Sequence, residues 1–410
     1  MVDSARVYRG WSVVAGCFLG ALVVFGVSYS YSVFLEPIQR DLGLSRADVS
    51  LVFSVQTAVI YVSAAGIGVL ADRYGVRRLL RLGGGLFVAG TLLVTRARSL
   101  LTLLLSYGVL TAVGLGAVYV VSYATVPRWF RRRRGLAAGV ATAGLGVGML
   151  VVAPAASVLV SSAGWRAALL AVALGAALLL AVAVTLVADD PPSQGIDASV
   201  EFPTGYPERP PTDWSVYRDE VVAVAASRTF LLVFVGWVLV YATLYVVFVH
   251  VVAHAGAVGI GERAGALALA VIGATTSVAR IAVGWGADRV GRHRTFVACS
   301  AAMGASTLAL PLVESAVGLY AFAVVYGVAY GGNGALLSPL TTDLFGTANP
   351  NAVFGLVSLS FAVSGLVAPW AAGLTFDATG TYAPAFVAAG AVGLVGTGLV
   401  AAARTAPRTS

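Results

Sequence analysis

An all-α membrane protein, with twelve transmembrane helices in two pseudo-symmetric six-helix bundles, is the fold this sequence predicts. Three observations lead to it: an apolar composition, apolar runs of spanning length, and an internal repeat. The 410 residues are 59% hydrophobic and 11% charged, with mean hydropathy +0.90. A soluble chain carries about 25% charged residues. Open sheets cannot cross lipid without leaving backbone groups unpaired, so the spans are helical.

A spanning helix needs roughly 20 mostly apolar residues. Such runs fall at 11–35, 48–71, 79–96, 100–126, 135–160 and 165–187, and again at 229–254, 263–287, 294–312, 315–342, 351–376 and 382–403. The first run is too long for a signal-peptide core and reads as an uncleaved first helix. Residues 188–228 form the one long polar stretch, with 8 of the 18 acids and a run of prolines. It reads as a cytoplasmic linker, with a short amphipathic helix near Trp214 to Val222. The expected domains are therefore a six-helix bundle over 1–187, a linker over 188–228 and a second bundle over 229–410.

All 26 basic residues are arginine. With a cytoplasmic N-terminus, inner segments hold 19 of them and outer loops six, at 40, 46, 96, 98, 166 and 263; Arg280 is the remaining one. This asymmetry predicts that both termini lie in the cytoplasm; the expected location of the multi-pass chain is the plasma membrane. "RRRR", Arg131 to Arg134, is explained as a topology signal, so no nucleic-acid partner is expected. "GGG" (83–85) and "GLGVG" (144–148) lie inside apolar helices, not after a strand, so no nucleotide cofactor is implied. His250 and His254 stand one turn apart without further ligands to make a metal site, and Cys17 and Cys299 form no framework. No nucleophile–base pair lies within the apolar helices, so the chain does not read as an enzyme, and no cofactor is expected.

The halves repeat. "GVLADRYGVRR" (68–78) and "GWGADRVGRHR" (284–294) match at six of eleven positions. The step from Gly68 to Gly284 is the repeat interval. Gly164 and Gly380 are separated by the same interval, and Ala153-Pro154 and Ala368-Pro369 by one position less. Parallel repeats of this kind place a substrate site between the halves, near the bilayer midplane.

These loops resemble the common mark of the major facilitator superfamily of secondary transporters. Within it the chain resembles the monocarboxylate transporter family and its microbial oxalate/formate-exchanger relatives. "YRGWSVVAG" (8–16) is similar to that family's Gly-Trp entry to the first helix, and "WFRRRRGLAAGVATAGLGVG" (129–148) to its aromatic-basic loop and Gly/Ala-rich fifth helix. "APWAAGLTFDATGTYAPAF" (368–386) resembles its Pro-x-x-Gly-x-x-x-Asp-x-Thr-Gly-x-Tyr passage. Arg280 falls where the family keeps its substrate arginine, and family placement favours Tyr119, Leu145, Tyr330 and Asn333 as substrate contacts. The resemblance implies a small monocarboxylate as partner, a monomer as functional unit, and a co-transported proton in animal members. Those members carry a first-helix lysine and an aspartate one turn before the arginine. This chain has no lysine, and Thr276 stands at the second position.

The chemistry of Arg280 supports that reading. An arginine in mid-membrane costs from about 3 to above 10 kcal/mol, so it faces a cavity or a partner. Gly273, Thr276, Ser277, Arg280, Gly284 and Ala287 form one stripe at helical spacing, with Val271, Val278 and Trp285 opposite. The stripe is expected to face a water-filled crevice. The acids near helices, Glu36, Asp72, Asp288, Glu314, Asp343 and Asp377, all sit at predicted ends, so the substrate supplies the anion. A guanidinium grips a carboxylate through two parallel hydrogen bonds. One buried cation balances one negative charge, which fits a lactate- or pyruvate-like acid better than oxalate. Tyr29 and Phe361 join Thr276 as candidate wall residues. Asp72, Arg73, Asp288 and Arg289 are the expected cytoplasmic gate. Two alternatives are an exchanger of other small organic anions and a non-transporting sensor of the same fold.

Overall fold

The computed structural model describes residues 8–403, apart from 45, 198, 200, 204, 206–212 and 348. Side chains of nine further helical residues, Ser32, Leu35, Glu36, Arg46, Ala47, Ser50, Glu262, Arg263 and Asp377, lie outside the described set. The described residues form helices without strands.

The first span is α1 (Gly10–Tyr29) continued by α2 (Tyr31–Leu42), bent where the Ser30 hydroxyl donates to the Val27 carbonyl at 2.9 Å. It is followed by α3 (Arg46–Tyr74) and α4 (Val76–Val94). The fourth span opens with α5 (Leu100–Leu103), passes through a π-helical stretch, Leu104–Thr111, and ends as α6 (Ala112–Ala124). The fifth and sixth share α7 (Arg134–Leu186), divided at Gly164, whose φ of 79° an L side chain rarely adopts. The linker holds α8 (Trp214–Ala225), with Asp213 accepting from the Ser215 backbone as its N-cap. The second half runs α9 (Arg228–Ala257), α10 (Glu262–Val290), α11 (Arg292–Ala309), α12 (Ala316–Phe345), α13 (Pro350–Thr379) and α14 (Ala383–Ala402). Among the described residues ten helices are long and apolar enough to span by composition. The division of α7 and the arginine-bearing α4 bring the spans to the twelve expected.

The halves meet along two helix pairs, α3 with α13 and α7 with α10. Both contacts bring backbone against backbone. A Cβ on Gly139 would stand 2.1 Å from the Arg280 carbonyl oxygen, and one on Gly355 would stand 2.4 Å from that of Ala64. Gly355 follows Gly139 by one repeat interval, and Arg280 follows Ala64 by the same step. Small residues permit such close approach where lipid supplies no hydrophobic drive between helices.

This packing corrects one expectation. The stripe of α10 that bears Arg280 does not face a water-filled crevice here: Ser277, the Arg280 backbone and Gly284 lie against the glycines of α7, and Thr276 faces α12. Its Ser277 would collide with a Cβ on Gly146, and Gly284 lies on the Gly135 carbonyl. The opposite face is as expected: Val278 is 69% and Trp285 52% exposed, which places them toward lipid.

Candidate substrate site and gate

A cavity of about 560 Å³ lies between the halves. Its wall draws on α1 (Phe25, Ser28, Tyr29), the first part of α3 (Ser54, Thr57, Tyr61), and α6 (Tyr119). From the second half come the later turns of α9 (Tyr245, Phe248) and of α13 (Gly365, Pro369). Among the described residues the wall is aromatic with scattered hydroxyls and bears no charge. That suits a ligand with an apolar body whose orientation is fixed by few polar groups.

Below the cavity an aromatic layer bridges the halves. Tyr61 stacks on Phe361 with centroids 5.1 Å apart, and Tyr123 stacks on Phe354 at 5.8 Å. The hydroxyls of Tyr119 and Ser358 are 3.2 Å apart. Arg280 lies in this layer, 1% exposed, with Tyr29 of the cavity wall within its electrostatic reach. Its Nη1 donates to the Tyr123 hydroxyl at 3.4 Å, and its Cζ stands 5.6 Å from the Tyr330 ring centre. Nε has no partner. Among the described residues no carboxylate pairs with Arg280; Glu36 and Asp377 lie outside that set.

The other expected site residues divide. Tyr29 and Tyr119 line the cavity, and Phe361 lies in the aromatic layer, 4.4 Å from the Tyr241 ring. Tyr330 walls the guanidinium. Thr276 donates to the Gly327 carbonyl at 3.1 Å and so fastens α10 to α12. Asn333 accepts from Tyr241 and donates to Ser300 at 2.8 Å. Leu145 is buried in the core of the interface.

The arginine-rich end is shut. Asp72, its side chain fully buried, accepts from Arg128 at 2.7 Å, from the Asn351 amide at 2.7 Å and from the Ala352 backbone N–H at 2.8 Å. It thus caps the start of α13 in the other half, where unpaired N–H groups and the helix dipole favour an anion. Asp288 does the same in reverse, accepting from Gly135 and Leu136 N–H at 2.8 and 2.9 Å at the start of α7. Arg134 pairs with Asp343, and Arg292 joins Asp288 at 2.8 Å and Asp343 at 3.1 Å.

The linker adds to this seal. Tyr217 and Val221 of α8 pack on Ala352, Val69 and Leu356, and Glu220 accepts from the Asn349 amide at 3.0 Å. Burial and the nearby Asp72 carboxylate push the Tyr217 phenol up, so it stays neutral. Glu201 accepts from the backbone N–H groups of Arg131, Arg132 and Arg133 at 2.9 to 3.3 Å.

One expected gate residue, Arg289, lies elsewhere, and another, Arg73, meets the linker part of the seal. Arg289 covers Trp285 on its own helix at 3.6 Å, because one turn of helix brings the two side chains together on the lipid side. Arg73 lies over Trp214 of the linker helix at 5.0 Å. Sequence reasoning missed Arg128, Arg134, Asp343 and Asn351 as gate partners. The arginines were absorbed in the charge asymmetry that sets topology.

The sequence of residues 17–345, and again 251–410, matches the family model described as Major Facilitator Superfamily. The chain belongs to the major facilitator superfamily. Among curated proteins it is similar to Monocarboxylate transporter 3 of Rattus norvegicus, 31% identical, with 93% of this chain and 77% of that protein covered. It is 30% identical to Monocarboxylate transporter 4 of Mus musculus (93% and 80% covered) and 29% identical to Monocarboxylate transporter 13 of Rattus norvegicus (95% and 88%). Its fold is similar to that of the transporter FucP in the outward conformation, TM-score 0.74 at 14% identity, covering 96% and 99% of the two chains. The human organic anion transporter MFSD10 gives TM-score 0.73 at 15% identity, covering 95% and 99%. The superfamily assignment makes this chain a multi-pass membrane transporter of the plasma membrane and not an enzyme.

Proposed function

We propose that the chain is a secondary active transporter that moves a small monocarboxylate, lactate- or pyruvate-like, across the plasma membrane by alternating access. Arg280 pairs with the substrate carboxylate. The observation that carries this reading is a guanidinium buried between the halves with donors in reserve and no described carboxylate beside it. The curated relatives named above, all monocarboxylate transporters, support it. The substrate enters from the cavity, passes the aromatic layer and meets the arginine; the gate at Asp72 and Asp288 then opens on the cytoplasmic side, where both termini lie. Rocking of two parallel six-helix halves gives that alternation.

Uptake of labelled lactate, pyruvate, formate, acetate and oxalate into proteoliposomes, with and without a pH gradient, tests the reading. Saturable uptake of one or more monocarboxylates, with oxalate excluded, is the expected result. Oxalate as the sole substrate would overturn the charge argument.

Tyr330 gives a milder test. Its ring stands beside the Arg280 guanidinium, 5.6 Å from Cζ, and in this reading its hydroxyl donates to the substrate carboxylate. A hydrogen bond to a charged group contributes about 1.5–3 kcal/mol. Tyr330→Phe, which keeps the ring, should raise the half-saturation concentration roughly tenfold. An unaltered value would remove Tyr330 from the site.

A further inference from the structure

The repeat supplies an internal control for the surroundings of Arg280. Ser99 caps α5 and Ser315 caps α12, one repeat interval apart. Further along the same helices, a Cβ on Gly116 would meet the Ile60 carbonyl at 2.8 Å, and one on Gly331 would meet the Thr276 carbonyl at 2.6 Å. Thr276 follows Ile60 by the full repeat interval, but Gly331 follows Gly116 by one position less. The first half therefore holds one residue more between cap and glycine. The π-helical stretch Leu104–Thr111 lies in that interval, and a π-helical turn accommodates an added residue.

With that residue accounted for, Arg280 corresponds to Ala64, and Gly334 corresponds to Tyr119. The first half sets a small residue on its third helix and a large one on the fourth span. The second half sets a large residue on α10 and none at all on α12. The exchange has a visible cause. A Cβ on Gly334 would stand 2.5 Å from Arg280 Nη2, 2.8 Å from Cζ and 3.1 Å from Nη1. Tyr330, one turn earlier on α12, presents its ring to the same guanidinium.

We propose that Gly334 is a positioning residue for Arg280. Its bare Cα is the floor and the Tyr330 ring the wall of a slot on α12. The slot fixes the plane of the guanidinium, and so the direction in which its paired donors meet a carboxylate. The proposal rests on the reading of Arg280 as the carboxylate ligand. An alanine at 334 would drive the head out by about 1 Å to reach ordinary contact, which turns its paired donors away from the line of the carboxylate and weakens binding. Only the tip of a flexible side chain has to yield, so the helix packing stays as it is.

The test is the uptake kinetics of Gly334→Ala in proteoliposomes, using the acid that the wild type takes up best from the panel of lactate, pyruvate, formate and acetate. Gly398→Ala is the control, because a Cβ there meets nothing within 4 Å. The expected result is KM raised tenfold or more, with Vmax and detergent Tm like those of the control. KM within twofold of wild type would overturn the proposal, as would a Tm loss that accounts for the change. If Arg280→Leu abolishes uptake while Gly334→Ala is silent, the positioning role alone fails. If Arg280→Leu transports normally, or the wild type takes up none of the panel, the reading beneath it fails too.

Discussion

Arg280→Leu is expected to abolish saturable uptake and to leave the protein at least as stable as the wild type. Both halves of this expectation follow from the same geometry. The guanidinium is 1% exposed and has no described carboxylate beside it. Removing one partner of a buried charge pair costs about 3–5 kcal/mol, so binding of a carboxylate should weaken by roughly 100- to 4000-fold. Without substrate, however, the arginine is an uncompensated cation in a low dielectric, at a cost of about 3 kcal/mol or more. Leucine removes that cost. A site residue of this kind lowers stability in exchange for function. Uptake in proteoliposomes and thermal unfolding in detergent are the paired measurements. Loss of uptake together with a lower Tm would show that the arginine is a structural partner. Uptake at the wild-type rate would exclude it from the site.

Asp72→Asn should open the arginine-rich end. The carboxylate collects a guanidinium, a side-chain amide and a helix N-terminus, all in a fully buried position. Hydrogen bonds to a charged acceptor contribute about 1.5–3 kcal/mol each, and 1.4 kcal/mol is tenfold in a population. The neutral amide also leaves Arg128 without its buried charge partner. The closed state should therefore lose at least about tenfold in population. Ser338 offers a reporter: it lies one turn beyond Gly334 toward the gate, is 3% exposed, and its hydroxyl has no partner. With Ser338→Cys in a background free of Cys17 and Cys299, labelling by a polar maleimide from that end should speed up about tenfold on adding Asp72→Asn. An unchanged rate would show that the loop is a static staple.

The spans were legible because lipid demands long apolar helices and little else satisfies that demand. Even α4, with Arg77, Arg78 and Arg81 in its first turns, keeps enough apolar length to be read as a span. The bend at Ser30 and the π-helical stretch before Ala112 were not legible, since neither carries a proline and both depend on what packs alongside. At the site, a lone charge inside an apolar run was conspicuous in the sequence. The helical wheel also separated the lipid face, with Val278 and Trp285, from the interface face. What the wheel could not say is whether water or another helix meets the interface face, because that depends on how the halves dock. Asp72 was read as a gate residue from its loop. Its acceptor role toward Ala352, far along the chain in the other half, could be found only once the halves were docked.

The two capping contacts have a shared geometry. Asp288 stands one repeat interval after Asp72, and the amides it binds, Gly135 and Leu136, stand the same interval before Asn351 and Ala352. The rule "my aspartate on your helix start" is thus obeyed in both directions. Such reciprocity is what a two-fold axis generates between identical subunits. A lone six-helix unit of this type would be self-complementary at its arginine-bearing face, and fusing two copies in one polypeptide would free a single position, such as 280, to carry a charge that its twin does without.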